Sequence, residues 1–335
     1  MKNLDKDSVI GVAALLVHAA KIDEMYSEHE KNLIKNFIKS YMQNENIDKS
    51  LEKAEEMKSS NNEYYKQLTY VKCLIKYPWS SDADDVFYKN LKEDYEEARN
   101  YITNVEDKLY NLSYGHKAVK KSLLQLIGKW ISNPSSSGSA IALVGPPGVG
   151  KTLLAKSVGS ALGIPFAQIT LGGQNDGELL HGHGYTYSGS QPGMIIRKMI
   201  ETGQSRCILY FDELDKACSK HGTTNEITSI LIHLTDPNMN KSFQDRFFQG
   251  IDFPLDKVIM IFSYNDSSLI DPILLDRFKE ISVKPYNVAD KLNIVDNYMI
   301  PEIKKNVGFD DYNLIFKKDI IEYLIENYTN EAGVR

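Results

Sequence analysis

Cysteine is scarce in this sequence: its 335 residues include only three, at positions 73, 207 and 218, and no CxxC pair. Three separated cysteines form neither a disulfide framework nor a zinc knuckle. The simplest interpretation is that all three are reduced thiols, so we expect a cytoplasmic protein. The composition is otherwise ordinary, with 42% hydrophobic and 25% charged residues, and it allows two or three domains with hydrophobic cores.

The sequence also lacks a net positive charge: its formal net charge is −6 and its pI is about 5.7. Wrapping nucleic acid without sequence preference needs many cations to neutralise phosphates, so nucleic acid is not expected as the main partner. The only candidate for a targeting segment, residues 8–20, is too short to span a bilayer. It follows Asp5 and Asp7, whereas a secretory leader begins with clear positive charge. We therefore predict a buried helix there, with no signal peptide, transmembrane segment or membrane partner.

The character of the sequence changes near residue 140. Residues 1–76 predict an all-helical N-terminal domain and residues 77–112 a helical linker, because apolar positions recur at helical spacing. Short apolar runs then alternate with helical patterns: 140–144, 166–170, 207–212, 257–263 and 280–284. Strands buried on both faces and separated by helices predict a mostly parallel sheet covered by helices. This α/β domain is predicted at residues 113–285, and residues 286–335 are helical again.

A glycine-rich segment, GPPGVGKT, follows the first of these strands and leads directly into a helix. Strand, loop and helix in this order are the setting of a phosphate-binding loop. The glycines let backbone N–H groups point at phosphate oxygens, and the helix N-terminus adds partial positive charge. Lys151 would reach the β- and γ-phosphates of a nucleotide, and the Thr152 hydroxyl would ligate Mg²⁺. The predicted phosphate loop consists of Gly145, Pro146, Pro147, Gly148, Val149, Gly150, Lys151 and Thr152.

Polar residues at the ends of later strands complete the predicted site. The segment CILYFDEL ends in two carboxylates: Asp212 is placed to hold Mg²⁺, usually through water, and Glu213 to polarise the attacking water. Asn265 ends the next long strand, IMIFSYND, and is either a water-orienting amide beside the γ-phosphate or a turn residue. Arg277, in LLDRF, is either a local partner of Asp276 or an arginine finger that projects to a neighbouring subunit. In the second case hydrolysis requires an oligomer.

These motifs, in this order, resemble an AAA+ ATPase, and specifically the ATPase portion of the Lon family of ATP-dependent proteases. The likeness runs from about residue 77 to 335 and is carried by VGPPGVGKTLLAKSVGSALG, LGGQNDGELLHGHGYTYSGSQPGMI, LTDPNMNKSF and LIDPILLDRF. The N-terminal helices resemble TerB-like helical domains. The Lon likeness implies a five-stranded parallel sheet in the order 5-1-4-3-2, followed by the start of a helical lid at residues 286–335. It also implies ATP and Mg²⁺ as cofactors and a hexameric ring that unfolds protein substrates.

The resemblance further assigns roles to single residues. It implies that Asn265 is sensor 1, that Arg277 is the arginine finger and that Arg335, in NEAGVR, is the sensor 2 residue of the lid. By the same likeness, Tyr114 and Gly115, in LSYGH, would lie near the adenine base.

Two features depart from the Lon family. The first 75 residues do not resemble its usual β-rich substrate-binding region, and the serine–lysine dyad of its peptidase has no counterpart in this chain, which stops at sensor 2. We therefore expect a fragment with an incomplete lid, acting as the ATP-driven unfoldase of a Lon-type protease. Two alternatives remain open: a stand-alone AAA+ ATPase that remodels complexes without proteolysis, and a nucleotide-binding scaffold whose ATPase has decayed.

The stretch HGHGYTYSGSQPG, residues 181–193, admits three interpretations: a metal site, a second phosphate loop, or a mobile loop that touches another macromolecule. His181 and His183 lack a nearby third ligand, and no lysine follows the glycines. The following residues, SQPGMIIRKMI, instead predict a helix start capped by Ser190 or Gln191.

The loop before that helix is where an AAA+ ring places its pore loop. Tyr187 matches the aromatic residue of the Lon pattern, and an aromatic ring offers contact area without demanding a particular peptide sequence. We expect Tyr187 to grip the substrate chain, with Tyr185 sharing that task.

Overall fold

The structure, a computed structural model, describes most of the chain from residue 62 onward. Before residue 62 it describes only the isolated positions 13, 16, 17, 28, 31, 32, 34 and 35. From there it describes residues 62–79, 90–133, 140–173, 176–185, 189–218, 226–308, 316–329 and 331–334. The buried helix predicted at residues 8–20 lies largely outside these ranges. Within them, no helix is long and apolar enough to cross a membrane.

The described residues form two compact units. The first takes in those within 1–77, 183–192 and 246–249, and the second takes in those within 78–182, 193–245 and 250–335. The domain boundaries that the sequence predicts after residues 76, 112 and 285 remain predictions.

The described chain contains three α-helices before the first strand, a mixed region of strands and helices, and three α-helices after the last strand. The strands are β1 (Ala140–Val144), β2 (Phe166–Thr170), β3 (Ile208–Asp212), β4 (Phe243–Gln244), β5 (Asp252–Phe253), β6 (Ile259–Tyr264) and β7 (Lys279–Ser282). The first six helices are α1 (Asn62–Lys76), α2 (Tyr95–Leu112), α3 (Lys117–Ser132), α4 (Lys151–Leu162), α5 (Glu178–His181) and α6 (Met194–Thr202). The next six are α7 (Leu214–Cys218), α8 (Glu226–Thr235), α9 (Pro272–Leu275), α10 (Val288–Ile294), α11 (Ile300–Val307) and α12 (Lys318–Asn327).

Five strands of the second unit form one parallel sheet in the order β2-β3-β6-β1-β7. Counted among themselves from the β7 edge, these strands read 5-1-4-3-2, so the predicted order is confirmed. Strand β6 is buried along its whole length, as its continuous apolar run IMIFSY requires. Because the strands are parallel, their carboxyl ends meet at one edge of the sheet, where ligands of open α/β sheets bind.

Helices α2, α3 and α4 pack with the sheet in a shared core. Helix α2 begins at the N-cap Asp94, whose Oδ1 accepts a hydrogen bond from the Glu97 N–H at 3.0 Å. The core draws on these three helices and on four strands: Val105, Leu109, Leu123, Ile127, Ile141, Leu143, Leu154, Val158, Ile208, Ile261 and Ile281. This packing holds the start of α4 at the end of β1.

Helix α6 begins later than predicted. Its N-cap is Gly193, not Ser190 or Gln191. The Gly193 N–H donates to Asp245 Oδ2 at 2.7 Å. The N–H of Gly193 is therefore bonded by the carboxylate of Asp245, which is distant in the sequence, and not by a side chain at position 190 or 191. The residues around position 190 alone could not predict this contact.

Candidate nucleotide-binding site

The phosphate loop, residues 145–152, joins β1 directly to α4 in the second unit. Gly148 and Gly150 have φ angles of +79° and +86°, a region that side chains with a Cβ rarely adopt. This backbone path turns the chain so that Lys151 and Thr152 open the helix beside the end of β1. The loop thus has the strand–loop–helix geometry that its glycines predict.

The Lys151 ammonium group lies across the mouth of this loop. Its Nζ donates to the carbonyl oxygens of Gly145 at 2.6 Å and Pro146 at 3.0 Å, and to Asn265 Oδ1 at 2.8 Å. Asn265 is close because β1 and β6 are neighbours with Val144 opposite Tyr264, so the residues that follow each strand stand side by side.

Asp212, at the end of β3, is held by four hydrogen-bond donors. Its Oδ1 accepts from the Tyr210 hydroxyl at 3.2 Å, the Ser263 hydroxyl at 2.5 Å and the Glu213 N–H at 3.1 Å. Its Oδ2 accepts from Gln168 Nε2 at 3.2 Å. These donors fix the carboxylate at the strand edge.

Tyr210 also links Asp212 to the phosphate loop. Its hydroxyl lies 3.1 Å from the Thr152 hydroxyl oxygen, and its side chain is fully buried. Burial raises the pKa of Tyr210 to about 12, so the phenol keeps its hydrogen at physiological pH. Thr152, Tyr210 and Asp212 therefore form a continuous hydrogen-bonded chain.

Glu213 has an unusual backbone conformation, with φ at +59°. A non-glycine residue in this region is strained, and such strain clusters at functional sites. Its Oε1 accepts a hydrogen bond from the Lys216 ammonium group. A Cβ added at Gly172 would stand 1.9 Å from Glu213 Oε2, so the absence of a side chain at Gly172, just after β2, makes room for the carboxylate.

These side chains surround one cavity of about 350 Å³ at the carboxyl edge of the sheet. That volume lies within the range of ligand pockets, about 300–1,000 Å³. Eight of the predicted site residues line it: Pro147, Gly148, Gly150, Lys151, Thr152, Asp212, Glu213 and Asn265. The structure therefore brings together residues from the loop after β1 and from the ends of β3 and β6.

Arg277 does not line this cavity. Its Nη1 pairs with Asp236 Oδ2 at 2.6 Å, and the hydrogen bond from Arg277 lowers the pKa of Asp236 below its ordinary value. The interpretation of Arg277 as a local partner of Asp276 is therefore wrong. Asp236 follows α8 and Arg277 lies between α9 and β7, and the fold brings these two segments together.

The predicted base-pocket residues lie where the phosphate loop approaches helix α10. The Tyr114 hydroxyl donates to Asp290 Oδ1 at 3.3 Å, and Gly115 has a φ of +68°. Next to them, His116 Nε2 lies 2.9 Å from the Val149 carbonyl oxygen and 2.7 Å from the Tyr286 hydroxyl. Burial lowers the pKa of His116, which favours its neutral form. Neither Tyr114 nor Gly115 lines the cavity, so their adenine contact remains a prediction.

Two predicted functional residues, Tyr187 and Arg335, lie outside the described residues. Val334, the residue before Arg335, donates its N–H to the Gly148 carbonyl oxygen at 3.2 Å. Within the second unit, the end of the lid segment thus contacts the phosphate loop. Sensor 2 and pore-loop roles remain predictions from the sequence.

The histidines of the 181–193 stretch have no metal-binding arrangement around them in the described part of the chain, where no three His, Cys, Asp or Glu side chains form a possible metal site. The His181 ring packs on Phe243, with ring centroids 5.1 Å apart. A packed histidine accounts for this position without a ligand.

Tyr185 belongs to an aromatic cluster in the first unit. Its ring centroid lies 5.7 Å from that of Tyr70, on α1, and 5.4 Å from that of Phe247. Tyr70 also contacts Phe248 at 4.9 Å, and both phenylalanines are fully buried. This packing gives Tyr185 a structural contact within its unit, and its predicted share in substrate grip remains a prediction.

Three residues around Asp212 were not identified from the sequence: Gln168, Tyr210 and Ser263. A signal for two of them existed. Side chains two positions apart on a strand point to the same face, and Tyr210 precedes Asp212 by two, as Ser263 precedes Asn265. Gln168 carried no such signal, because its approach to Asp212 depends on the pairing of β2 with β3.

The five-stranded parallel sheet and its helices have the fold of an AAA ATPase domain. Residues 141–286 match the family described as "ATPase family associated with various cellular activities (AAA)". Within that class the chain is a Lon-type AAA ATPase module, because 84–94% of its length aligns with Lon proteases. Residues 9–78 match the family described as "Tellurite resistance protein TerB", which confirms the predicted likeness of the N-terminal region.

Three relatives give the extent of the similarity. The chain is 50% identical over 287 residues to a "Lon protease homolog" of Acanthamoeba polyphaga mimivirus, covering 85% of this chain and 28% of that protein. It is 35% identical over 280 residues to "Lon protease" of Malacoplasma penetrans, covering 84% and 34% respectively. It is 34% identical over 315 residues to "Lon protease" of Brevibacillus choshinensis, covering 94% and 38%. The chain spans about a third of the length of these curated relatives.

Proposed function

We propose that this module binds ATP with Mg²⁺ in the cavity at the sheet edge and hydrolyses it. The observation that carries the proposal is the convergence of a cation, two oxygen ligands, a carboxylate base and an amide on one cavity. They belong to Lys151, Thr152, Asp212, Glu213 and Asn265. A scaffold that binds a nucleotide without hydrolysing it would need neither the amide of Asn265 nor a glutamate held at position 213 by a strained backbone.

The residues fit the chemistry of Mg²⁺, which prefers oxygen ligands. The Thr152 hydroxyl and the Asp212 carboxylate would hold the ion, which would neutralise charge on the phosphates. Lys151 binds phosphate oxygens by exchanging its present carbonyl partners for them. Glu213 accepts a proton from the attacking water, and Asn265 orients that water through its amide without adding charge.

We expect Lys151→Ala to weaken ATP binding by about 10- to 150-fold, the range for a hydrogen bond to a charged group. The lost ammonium group lies in the phosphate loop and reaches Asn265, so its removal takes a cation out of the cavity. Calorimetric titration with a non-hydrolysable ATP analogue measures the change.

The matched control for this test is Lys156→Ala on the same helix. The Lys156 Nζ lies 5.9 Å from the centroid of the Phe166 ring and not in the cavity. Binding should be unchanged in this variant. Equal losses in both lysine variants would contradict the assignment of the cavity as the nucleotide site.

We further propose that several such modules assemble into a hexameric ring and use ATP to unfold and translocate protein substrates, in the setting of a Lon-type protease. The supporting features are the resemblance of the 171–195 segment to the Lon pore-loop region and the position of Arg277 outside its own cavity. An arginine that does not face its own nucleotide site is suited to act on a neighbouring one.

Tyr187→Ala tests the substrate-gripping role. Basal ATP hydrolysis should stay near the wild-type rate, because the residue is not part of the proposed nucleotide site, while ATP-dependent unfolding of a fluorescent protein substrate should be largely lost. Tyr187→Phe keeps the aromatic ring and should retain unfolding. Normal unfolding by the alanine variant would remove Tyr187 from the proposed pore.

A further inference from the structure

Tyr210 lies in the segment CILYFDEL, two residues before Asp212, but the sequence assigned it no role in the proposed ion site. Its hydroxyl lies between the two residues assigned to Mg²⁺, 3.1 Å from the Thr152 hydroxyl oxygen and 3.2 Å from Asp212 Oδ1. We propose that Tyr210 is a positioning residue for Mg²⁺: it orients the Thr152 hydroxyl so that the oxygen lone pairs point to the ion. This inference rests on the proposed nucleotide site.

The direction of the hydrogen bonds follows from the number of hydrogens available. An ionised carboxylate only accepts hydrogen bonds, so Tyr210 donates its single hydroxyl hydrogen to Asp212. In the contact between Tyr210 and Thr152 the donor must then be Thr152. With its hydrogen directed at Tyr210, the Thr152 oxygen keeps both lone pairs for another partner. A metal ion needs those lone pairs and is repelled by the hydroxyl hydrogen.

The tyrosine is well suited to fix this orientation because it cannot move easily. It is fully buried in β3, which pairs with β2 on one side and β6 on the other. Its ring packs on Phe166, with centroids 5.8 Å apart. A hydroxyl held by the sheet keeps Thr152 in one orientation, whereas the hydroxyl of an isolated threonine rotates freely.

The same bonds determine how Asp212 can meet the ion. Its Oδ1 accepts from Tyr210, Ser263 and the Glu213 N–H, while Oδ2 accepts only from Gln168 among the donors around it in the described residues. The acceptor capacity of Oδ1 is therefore used, and Oδ2 remains to bind the ion or one of its waters. Tyr210 thus contributes to the placement of both proposed ligands.

Tyr210→Phe removes the hydroxyl and keeps the ring. The test compares the Kd of ADP in Mg²⁺ with the Kd of ADP in EDTA, by calorimetry on the full chain. The ratio of the two constants measures the contribution of the ion. We expect this ratio to fall by about three- to tenfold, as for the loss of one hydrogen bond, while the Kd in EDTA stays within about twofold of the wild-type value.

The matched control is Tyr264→Phe on the neighbouring strand. Tyr264 is also buried and lines the same cavity, but its hydroxyl donates to Glu280 and to neither proposed ligand, so the ratio should not change. The melting temperature of each variant in EDTA, without nucleotide, shows whether it folds. If Tyr210→Phe is destabilised, Tyr210→Met, which also lacks the hydroxyl and fills an apolar gap, should show the same drop in the ratio.

The outcomes separate this inference from the function on which it rests. A wild-type protein that does not bind ADP in either buffer overturns the proposed nucleotide site itself. A wild-type protein with Mg²⁺-enhanced binding and variants with the same ratio overturn the role of Tyr210. An equal loss of affinity in Mg²⁺ and in EDTA also overturns it, because the tyrosine would then shape the cavity rather than the ion site.

Discussion

Replacing Glu213 with glutamine should lower kcat for ATP hydrolysis by about 10²–10⁴, the usual contribution of a general base. The amide keeps the size and hydrogen-bonding oxygen of the carboxylate but cannot take a proton from water. Nucleotide affinity should stay within about twofold, because the side chain is placed to act on the attacking water rather than on the phosphates. A coupled assay of phosphate release measures kcat, and calorimetric titration measures affinity.

The control for this substitution is Glu201→Gln. Glu201 is an exposed residue of α6 that pairs with Lys198 and does not line the cavity. Its variant should hydrolyse ATP at the wild-type rate. If Glu213→Gln and wild type hydrolyse ATP equally fast in an assembled sample, Glu213 is not the base and the proposed mechanism is wrong.

Arg277→Ala should lower kcat by about 10³–10⁵, the range measured for arginine fingers. The physical reason is the loss of a cation beside the transition-state charge, which in the proposed ring acts on the cavity of a neighbouring subunit. Arg277 contacts Asp236 and does not line its own cavity. Binding of ADP to the isolated chain should therefore be unaffected.

Mixing two inactive variants distinguishes action in trans from action in cis. An Arg277→Ala subunit keeps an intact cavity, and a Lys151→Ala subunit keeps an intact arginine. A mixed ring can place the arginine of the second beside the cavity of the first, so activity should return on mixing. No recovery from rings shown by sedimentation to be mixed would argue against a trans-acting arginine.

Asp236→Asn tests whether the pair with Arg277 is structural or part of the mechanism. Both side chains are partly exposed, at 30% for Arg277 and 18% for Asp236, and solvent-screened pairs of this kind contribute little to stability. The melting temperature should therefore change little. ATP hydrolysis should also persist, because the arginine itself remains.

Much of the proposed nucleotide site could be predicted from the sequence, because each of its motifs is a short continuous segment. The segment GPPGVGKT lies between a strand and a helix. Its local sequence predicts the backbone conformation, because the glycines permit the turns and the helix begins directly after them. Asp212 and Asn265 were found because each ends an apolar run, and the ends of parallel strands share one edge of the sheet. The sheet order came from the resemblance to the Lon family and was confirmed by the strand pairing.

The sequence by itself thus determined the strands, the phosphate loop and the identity of the residues at the strand ends. The tertiary structure alone decided their partners: Arg277 with Asp236, Gly172 beneath Glu213, and Tyr210 between Thr152 and Asp212. The difference has a physical cause. Hydrophobic period and turn chemistry depend on neighbours within a few positions, whereas a contact between residues 58 positions apart, as for Thr152 and Tyr210, exists only once strand order and register place the two chains side by side.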